Sequence, residues 1–366
     1  MEREGAVHDE REATAPDVLR FFHPVLPSAH LRRKPVSVSV AGRRYVLFRD
    51  ATGCAAALDD ACPHRRAPLS LGTVRPDGRL ACAYHGWHFD ALGHGVSPSC
   101  PELRHCDARS YQVIEKYDYL WLAHRSTPPA AMPTFTDDAF RFAGTISARF
   151  DAPLELALDN ISEDEHFAFI HSTFGWNEHG ASAVEMETTN HVDHSHVRLE
   201  GLQRPSLLAP LGGVRSGDRF HNEWVTRFQP VHSVYTFWWI DPISAARRPI
   251  TTRAVVFLVP ETMTTTQAHM FLFLSIGPSM QRLIQPVSHW LARRVARMEL
   301  LRDARFVAHL ADAPTTLRGM RLTRFDKALI HNRKLLRTLY WEAGQPDAMP
   351  SSPVRHATGR SAGVTP

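Results

Sequence analysis

The residues best placed to do chemistry in this chain are two cysteine–histidine pairs: Cys62-Pro63-His64 and, after seventeen residues, Cys82-Ala83-Tyr84-His85-Gly86-Trp87. Each loop offers one thiolate and one imidazole. Two thiolates can hold one iron of a [2Fe-2S] cluster while two imidazoles hold the other, so a loop carrying one of each spans both metals. Neutral imidazole in place of thiolate removes negative charge and raises the reduction potential. Cys2His2 is also a structural zinc set, but zinc fingers pair like with like, C-x2-4-C before H-x3-5-H, whereas both halves here are mixed. The spacing favours iron–sulfur. His88, His94, His105, Cys100 and Cys106 lie close by but fit no second set at metal spacing, and read as surface or packing residues; Cys54 reads as a core residue.

A second constellation runs from Asn160 through Glu163, Asp164 and His166 to His171. Two histidines five apart fall on somewhat different faces of a regular helix, so both reach one metal only where the helix ends or widens. Ser172-Thr173-Phe174-Gly175 supplies such an end. Taken alone, H-x4-H is better explained by core histidines with satisfied hydrogen bonds.

The elements that must position these groups follow from periodicity. Val36–Val40 alternates, Tyr45–Phe48 follows, Asp50–Gly53 is a turn, and Tyr111–Ala123 reads as two strands, so the first third is a small antiparallel β domain. Pro128-Pro129 and Pro133 mark a linker, with the boundary near residue 145. The second part opens with a helical stretch, Pro153 to Ile170, and continues as strands: Trp224, Thr226 and Phe228 share one face, and Tyr235, Phe237 and Trp239 share another. A long amphipathic helix closes it, with Ile284, Val287, Leu291, Val295, Met298 and Leu301 at spacings of three and four. On that helix Asp303 lies among Leu300, Val307 and Leu310, where an unpaired carboxylate is costly unless it meets a cation. The competing readings pair Asp303 with Arg302 or Arg305 at the surface and leave Asp312 as the ligand.

With 366 residues, two domains are the first expectation, 18–145 and 146–343, with 1–17 and 344–366 as flexible tails. Hydrophobic residues at 43% and charged residues at 22% place the chain among ordinary globular proteins. No apolar run approaches a membrane span, and the N-terminus lacks the apolar core of a secretory signal, so a cytoplasmic protein is expected. An odd set of five cysteines argues for metal ligation over a disulfide framework. Thirteen basic against four acidic residues between Gln281 and Tyr340 read as a solvated face or a docking surface for an acidic protein, not as a nucleic-acid site. No G-x-G-x-x-G fingerprint is present, so direct use of NAD(P)H by the usual fold is not expected.

C-x-H followed by C-x2-H-G-W, with N-x2-(D/E)-x2-H-x4-H downstream, resembles the two halves of a Rieske non-haem iron oxygenase, on the single-chain vanillate demethylase and dicamba monooxygenase side of that family. The resemblance spans roughly residues 20 to 340. It implies an α+β protein: an antiparallel β Rieske domain followed by a helix-grip, START-like catalytic domain, assembled as a homotrimer. It implies that Cys62, His64, Cys82 and His85 hold the cluster and that His166, His171 and Asp303 hold a mononuclear Fe(II), leaving open positions for O2 and substrate. In the family an acidic residue three before the first histidine links an iron histidine to a cluster histidine of the neighbouring subunit. Glu163 holds that position, one methylene longer than the usual Asp, with Asp164 adjacent as the alternative; the partner histidine would be His85. Asn160 matches a polar position near the iron. The implied function is a terminal oxygenase that hydroxylates, demethylates or otherwise oxidises a small aromatic or polycyclic substrate, fed from NAD(P)H through a separate flavin reductase or ferredoxin. The alternatives are an electron carrier and a metal-stabilised ligand-binding module. Trp224, Phe228, Tyr235, Phe237, Trp239, Phe257, Phe271 and Phe273 are either cavity wall or core.

Overall fold

In the computed structural model, residues 17–135, 139–276, 281–310 and 315–342 are described. The N-terminal part is a six-stranded antiparallel sheet in the order His23–Pro27, Tyr119–Ala123, Ser110–Lys116, Ala55–Asp59, Arg43–Arg49, Val36–Val40. The alternating Val36–Val40 run and the turn at Asp50–Gly53 form as expected: Asp50 Oδ1 accepts from the Thr52 and Cys54 amides, and Gly53 takes φ 84°. The hairpin joining Ser110–Lys116 to Tyr119–Ala123 turns on Tyr117 and Asp118, both at positive φ, the geometry that matches strand twist. Tyr117 tolerates this because its ring packs against Phe135, Phe142, Phe271 and Phe273. Cys54, read as core, is instead exposed, since the turn that ends at it lifts it clear of the sheet.

Four two-residue strands, Thr73–Val74, Leu80–Ala81, His88–Phe89 and Gly95–Val96, form a separate small sheet beneath the cysteine–histidine loops.

The second part is a seven-stranded antiparallel sheet in the order Arg141–Phe150, Thr266–Ile276, Arg247–Pro260, Val231–Ile240, Arg219–Phe228, His194–Leu202, Glu185–Asn190. A short helix α1 (Leu154–Ile161) and the long closing helix α2 (Gln281–Ala308) cover one face. Arg293 of α2 donates to the Ala143 carbonyl, and its guanidinium lies where a Cβ on Gly144 would fall, so the bulge at Gly144 needs glycine. The other face meets the first domain. Strand alternation sends Phe257, Phe271 and Phe273 to this side, away from the helix-covered face, and the first two pack on Trp121. Among the described residues no helix is long and apolar enough to cross a membrane.

Trp121 is fully buried and also donates to the Lys116 carbonyl. Trp121→Ala should therefore cost about 3 to 5 kcal/mol of stability, read by chemical denaturation, and a loss below about 1 kcal/mol would show that the domains do not depend on this contact.

Two sequence expectations need correcting. The helical stretch Pro153 to Ile170 is not continuous: α1 stops at Ile161, and His166 sits on a separate single turn, Glu165–Ala168. The break precedes the histidine pair instead of following it. The buried stripe of α2 is also rotated from the predicted one. Val295, Glu299, Leu300, Asp303, Ala304 and Val307 face inward, while Val287 is 64% exposed and Leu310, beyond the helix end, is 40% exposed. Tertiary burial selects the face, and beside Asp303, which the stripe of Leu300 and Val307 already marked as inward, it admits a second acid, Glu299. The side chain of Ile284, and Asp312, lie outside the described residues.

Candidate metal centres and active site

The two cysteine–histidine loops are near copies of one another. Cys62 N–H donates to the Ala67 carbonyl and its own carbonyl accepts from Arg66; Cys82 N–H donates to Trp87 and its carbonyl accepts from Gly86. Each turn closes through a residue at positive φ, Arg66 at 59° and Gly86 at 70°. Both cysteines are buried and both histidines exposed, so the pairs form a gradient from a dry thiol floor to a wet imidazole tip. The imidazoles of His64 and His85 stand 4.5 Å apart, and His64 stacks on Trp87 at 4.9 Å and 5°, which gives the tryptophan of the motif a positioning role. Burial, reinforced by the neighbouring Cys82 thiol, holds the Cys62 thiol well above its usual range, although the amides of His64 and Arg65 point at its sulfur and favour thiolate. Such a dry pair ionises when a metal takes the place of its protons, which fits a cluster bound by Cys62 and Cys82 below and His64 and His85 above.

The second constellation assembles between α1, the turn at Glu165–Ala168 and α2. His171 Nε2 lies 2.9 Å from Asp303 Oδ1 and His166 Nε2 3.5 Å from the same oxygen. One donor atom from each of the three falls within 4.8 Å of the others. Glu163 Oε1 accepts from His166 Nδ1 at 2.5 Å, and its second oxygen accepts the Glu165 amide. A proton fixed on Nδ1 leaves Nε2 as the free lone pair, the tautomer a metal ligand requires. Asp164 points elsewhere: it is fully buried, accepts from the Asn222 amide, and is pushed up to about 7, chiefly by burial. For His166, burial works against the charged form, yet the Glu163, Asp303 and Asp164 carboxylates outweigh it and raise the imidazole to about 9. Three carboxylates around two imidazoles in a dry site call for a cation. The donor set, two nitrogens and one oxygen with a second carboxylate behind, fits a 2-His-1-carboxylate iron site.

Asn160 lies on the same wall with a buried Oδ1 that has no hydrogen-bond partner among the described residues. The metal-facing side opens into a cavity of about 410 Å³. Tyr235, Phe237 and Trp239 line it, as do Ala254, Val256 and Leu272 from the next two strands; Trp224 and Phe228 stay in the core.

Several residues that hold this geometry have no local sequence signal. Arg204 donates to the carbonyls of Phe167 and His171, and Gln203 donates to Thr173 while accepting from Trp239. Together they clamp the loop that carries His171. Arg333 makes a two-pronged bond to Asp159 (2.8 and 2.6 Å), tying α1 to a further short helix, Leu329–Leu335. Glu299 sits one turn before Asp303 and accepts from Arg302 at 2.9 Å; helical spacing from Asp303 could have found it. Because a lysine ammonium cannot span two carbonyls as a guanidinium fork does, Arg204→Lys should lower affinity for the mononuclear iron about 10-fold or more, measured by competition with a chelator. Unchanged affinity would show that the clamp is dispensable.

Residues 21–112 match the Rieske [2Fe-2S] domain family and residues 150–341 match the vanillate O-demethylase oxygenase C-terminal domain family. The chain is 30% identical over 219 residues to the chloroplastic protein TIC 55 of Pisum sativum, covering 56% of this chain and 38% of that one. It is 32% identical over 160 residues to the oxygenase component of dicamba O-demethylase from Stenotrophomonas maltophilia, covering 41% and 46%. Each alignment thus spans less than half of the curated relative. A crystal structure of dicamba monooxygenase bound to 3,6-dichlorosalicylic acid superposes with a TM-score of 0.73 at 22% identity, over 89% of this chain and 98% of that chain.

Proposed function

We propose that this chain, which belongs to the family of Rieske oxygenases with a vanillate O-demethylase oxygenase C-terminal domain, is a terminal oxygenase that oxidises a small aromatic or polycyclic substrate with O2. The observation that carries this reading is the convergence of His166, His171 and Asp303 on the wall of an apolar cavity. A bound Fe(II) would supply O2 activation there, with electrons from the cluster.

The chain's own residues have separable tasks. Glu163 holds the proton on His166 Nδ1 and keeps Nε2 turned to the metal. The strand aromatics shape the cavity and keep water from the reacting carbon. Relatives named for O-demethylation of dicamba and N1-demethylation of methylxanthines support a demethylase or hydroxylase. The exposed imidazoles of His64 and His85, beside Tyr84 (61% exposed), support docking of the cluster tip against another subunit, with Glu163 of one chain bridging to His85 of the next in a homotrimer. Electrons would come from NAD(P)H through a separate reductase or ferredoxin, in a cytoplasm whose reducing conditions suit five unpaired cysteines.

The test is turnover under 18O2 with a surrogate ferredoxin and reductase against methoxylated aromatics. Oxygen uptake with label in the product or in released formaldehyde is expected. A cluster that is reduced and reoxidised with no O2-derived product across the panel would overturn the oxygenase reading in favour of an electron carrier.

A further inference from the structure

We infer that the cavity selects uncharged, largely apolar ring compounds over carboxylates of the same shape, and that Glu299 enforces the exclusion; the inference rests on reading this cavity as the substrate site. Four acids face the space, Glu163, Asp164, Glu299 and Asp303, and among the described residues no lysine or arginine lines it. A metal ion would answer Asp303, and Glu163 is held by His166. Asp164 accepts from Asn222, and Glu299, one turn before Asp303 on α2, faces the cavity while its partner Arg302 lies outside the lining.

Two guanidiniums beside the histidine–aspartate end of the cavity are already engaged. Arg302 Nη1 donates to Glu299 and to the Ser172 hydroxyl, and Arg204 donates to the Phe167 and His171 carbonyls. A substrate carboxylate would thus lose its water and gain no cation from the lining, against apolar walls and the cavity-facing carboxylate of the Glu299–Arg302 pair. The cavity lining is otherwise aliphatic and aromatic, with Thr252 and Asn160 among its few polar side chains.

The entrance extends the same chemistry outward. Leu211, Val287 and Trp290 line the cavity and are 64%, 64% and 55% exposed. A rim of this kind continues the contact surface for a ring system that reaches past the pocket, with the Arg294 guanidinium over the Trp290 ring as the cation nearest the entrance.

The experiment is ligand binding to the iron-loaded protein, followed by tryptophan fluorescence and confirmed by equilibrium dialysis, with 2-methoxynaphthalene, 6-methoxy-2-naphthoate and the matching protonated naphthylmethylamine. The neutral compound should bind roughly tenfold or more tightly than the naphthoate. In Glu299→Gln that ratio should narrow several-fold. Equal or tighter binding of the naphthoate, tightest binding of the amine, or no binding of any probe would each overturn the inference for the cavity. A ratio unmoved in Glu299→Gln would overturn the role of Glu299. Selective binding by a protein that consumes no O2 would sink the oxygenase reading while leaving this selectivity standing.

Discussion

Asp303→Ala will leave the iron–sulfur cluster intact and remove the mononuclear iron, with turnover falling to less than about a hundredth of wild type. Among the described residues Asp303 alone approaches both His166 Nε2 and His171 Nε2, at 3.5 and 2.9 Å, so its loss leaves two imidazoles and no anionic ligand. Replacing groups one step further from a metal already costs about 10- to 100-fold, and a ligand should cost more. Asp303→Asn, close to isosteric, separates ligand loss from packing loss: it should fold as the parent does by circular dichroism and still lack the third iron. The cluster loops lie on the small sheet of the other domain, so the visible absorbance of the reduced and oxidised cluster should not change. Bleaching in either variant would contradict the assignment of two independent metal sites.

Glu163→Gln is expected to retain both metals yet slow electron transfer from cluster to iron about 10- to 100-fold, read in a single turnover of pre-reduced protein mixed with O2 and substrate. The geometry divides the neighbouring acids. Glu163 takes the His166 Nδ1 proton and caps the Glu165 amide, whereas Asp164 faces Asn222 in the interior. Glutamine keeps the length but loses the negative charge that holds this proton in place. Glu163→Asp should recover most of the rate, because a shorter carboxylate still carries that charge. Asp164→Asn should leave the transfer rate within about twofold, since an amide can still meet Asn222. A normal rate in Glu163→Gln, or a larger defect in Asp164→Asn, would move the bridge to the other acid or remove it.

The degree to which this architecture was legible in the sequence tracks how local each signal is. Cys62, His64, Cys82 and His85 are readable because each ligand pair lies within a single turn, and the twin hydrogen-bond closures of those turns follow from the same spacing. His166 and His171 are readable as a pair but not as a geometry: nothing in Pro153 to Ile170 marks the stop at Ile161, where Tyr235, from a distant strand, takes the Ile161 carbonyl. Asp303 stands out because an acid on an apolar stripe demands a reason. Gln203 and Arg204 do not, since their partners lie some thirty residues away and carbonyl clamps have no sequence period. The aromatic strands show the same limit. Alternation tells that Tyr235, Phe237 and Trp239 share a face, but only the packed sheet decides that they meet the cavity while Phe257 and Phe271 meet Trp121.

The central claim is that one chain carries a Rieske cluster and a separate mononuclear iron. It is tested most directly by iron, zinc and acid-labile sulfide content of anaerobically purified protein, together with its EPR spectrum after dithionite reduction. The account predicts about three irons and two sulfides per chain and the low average g value of a Cys2His2 cluster. Zinc in place of iron, without sulfide, would contradict it.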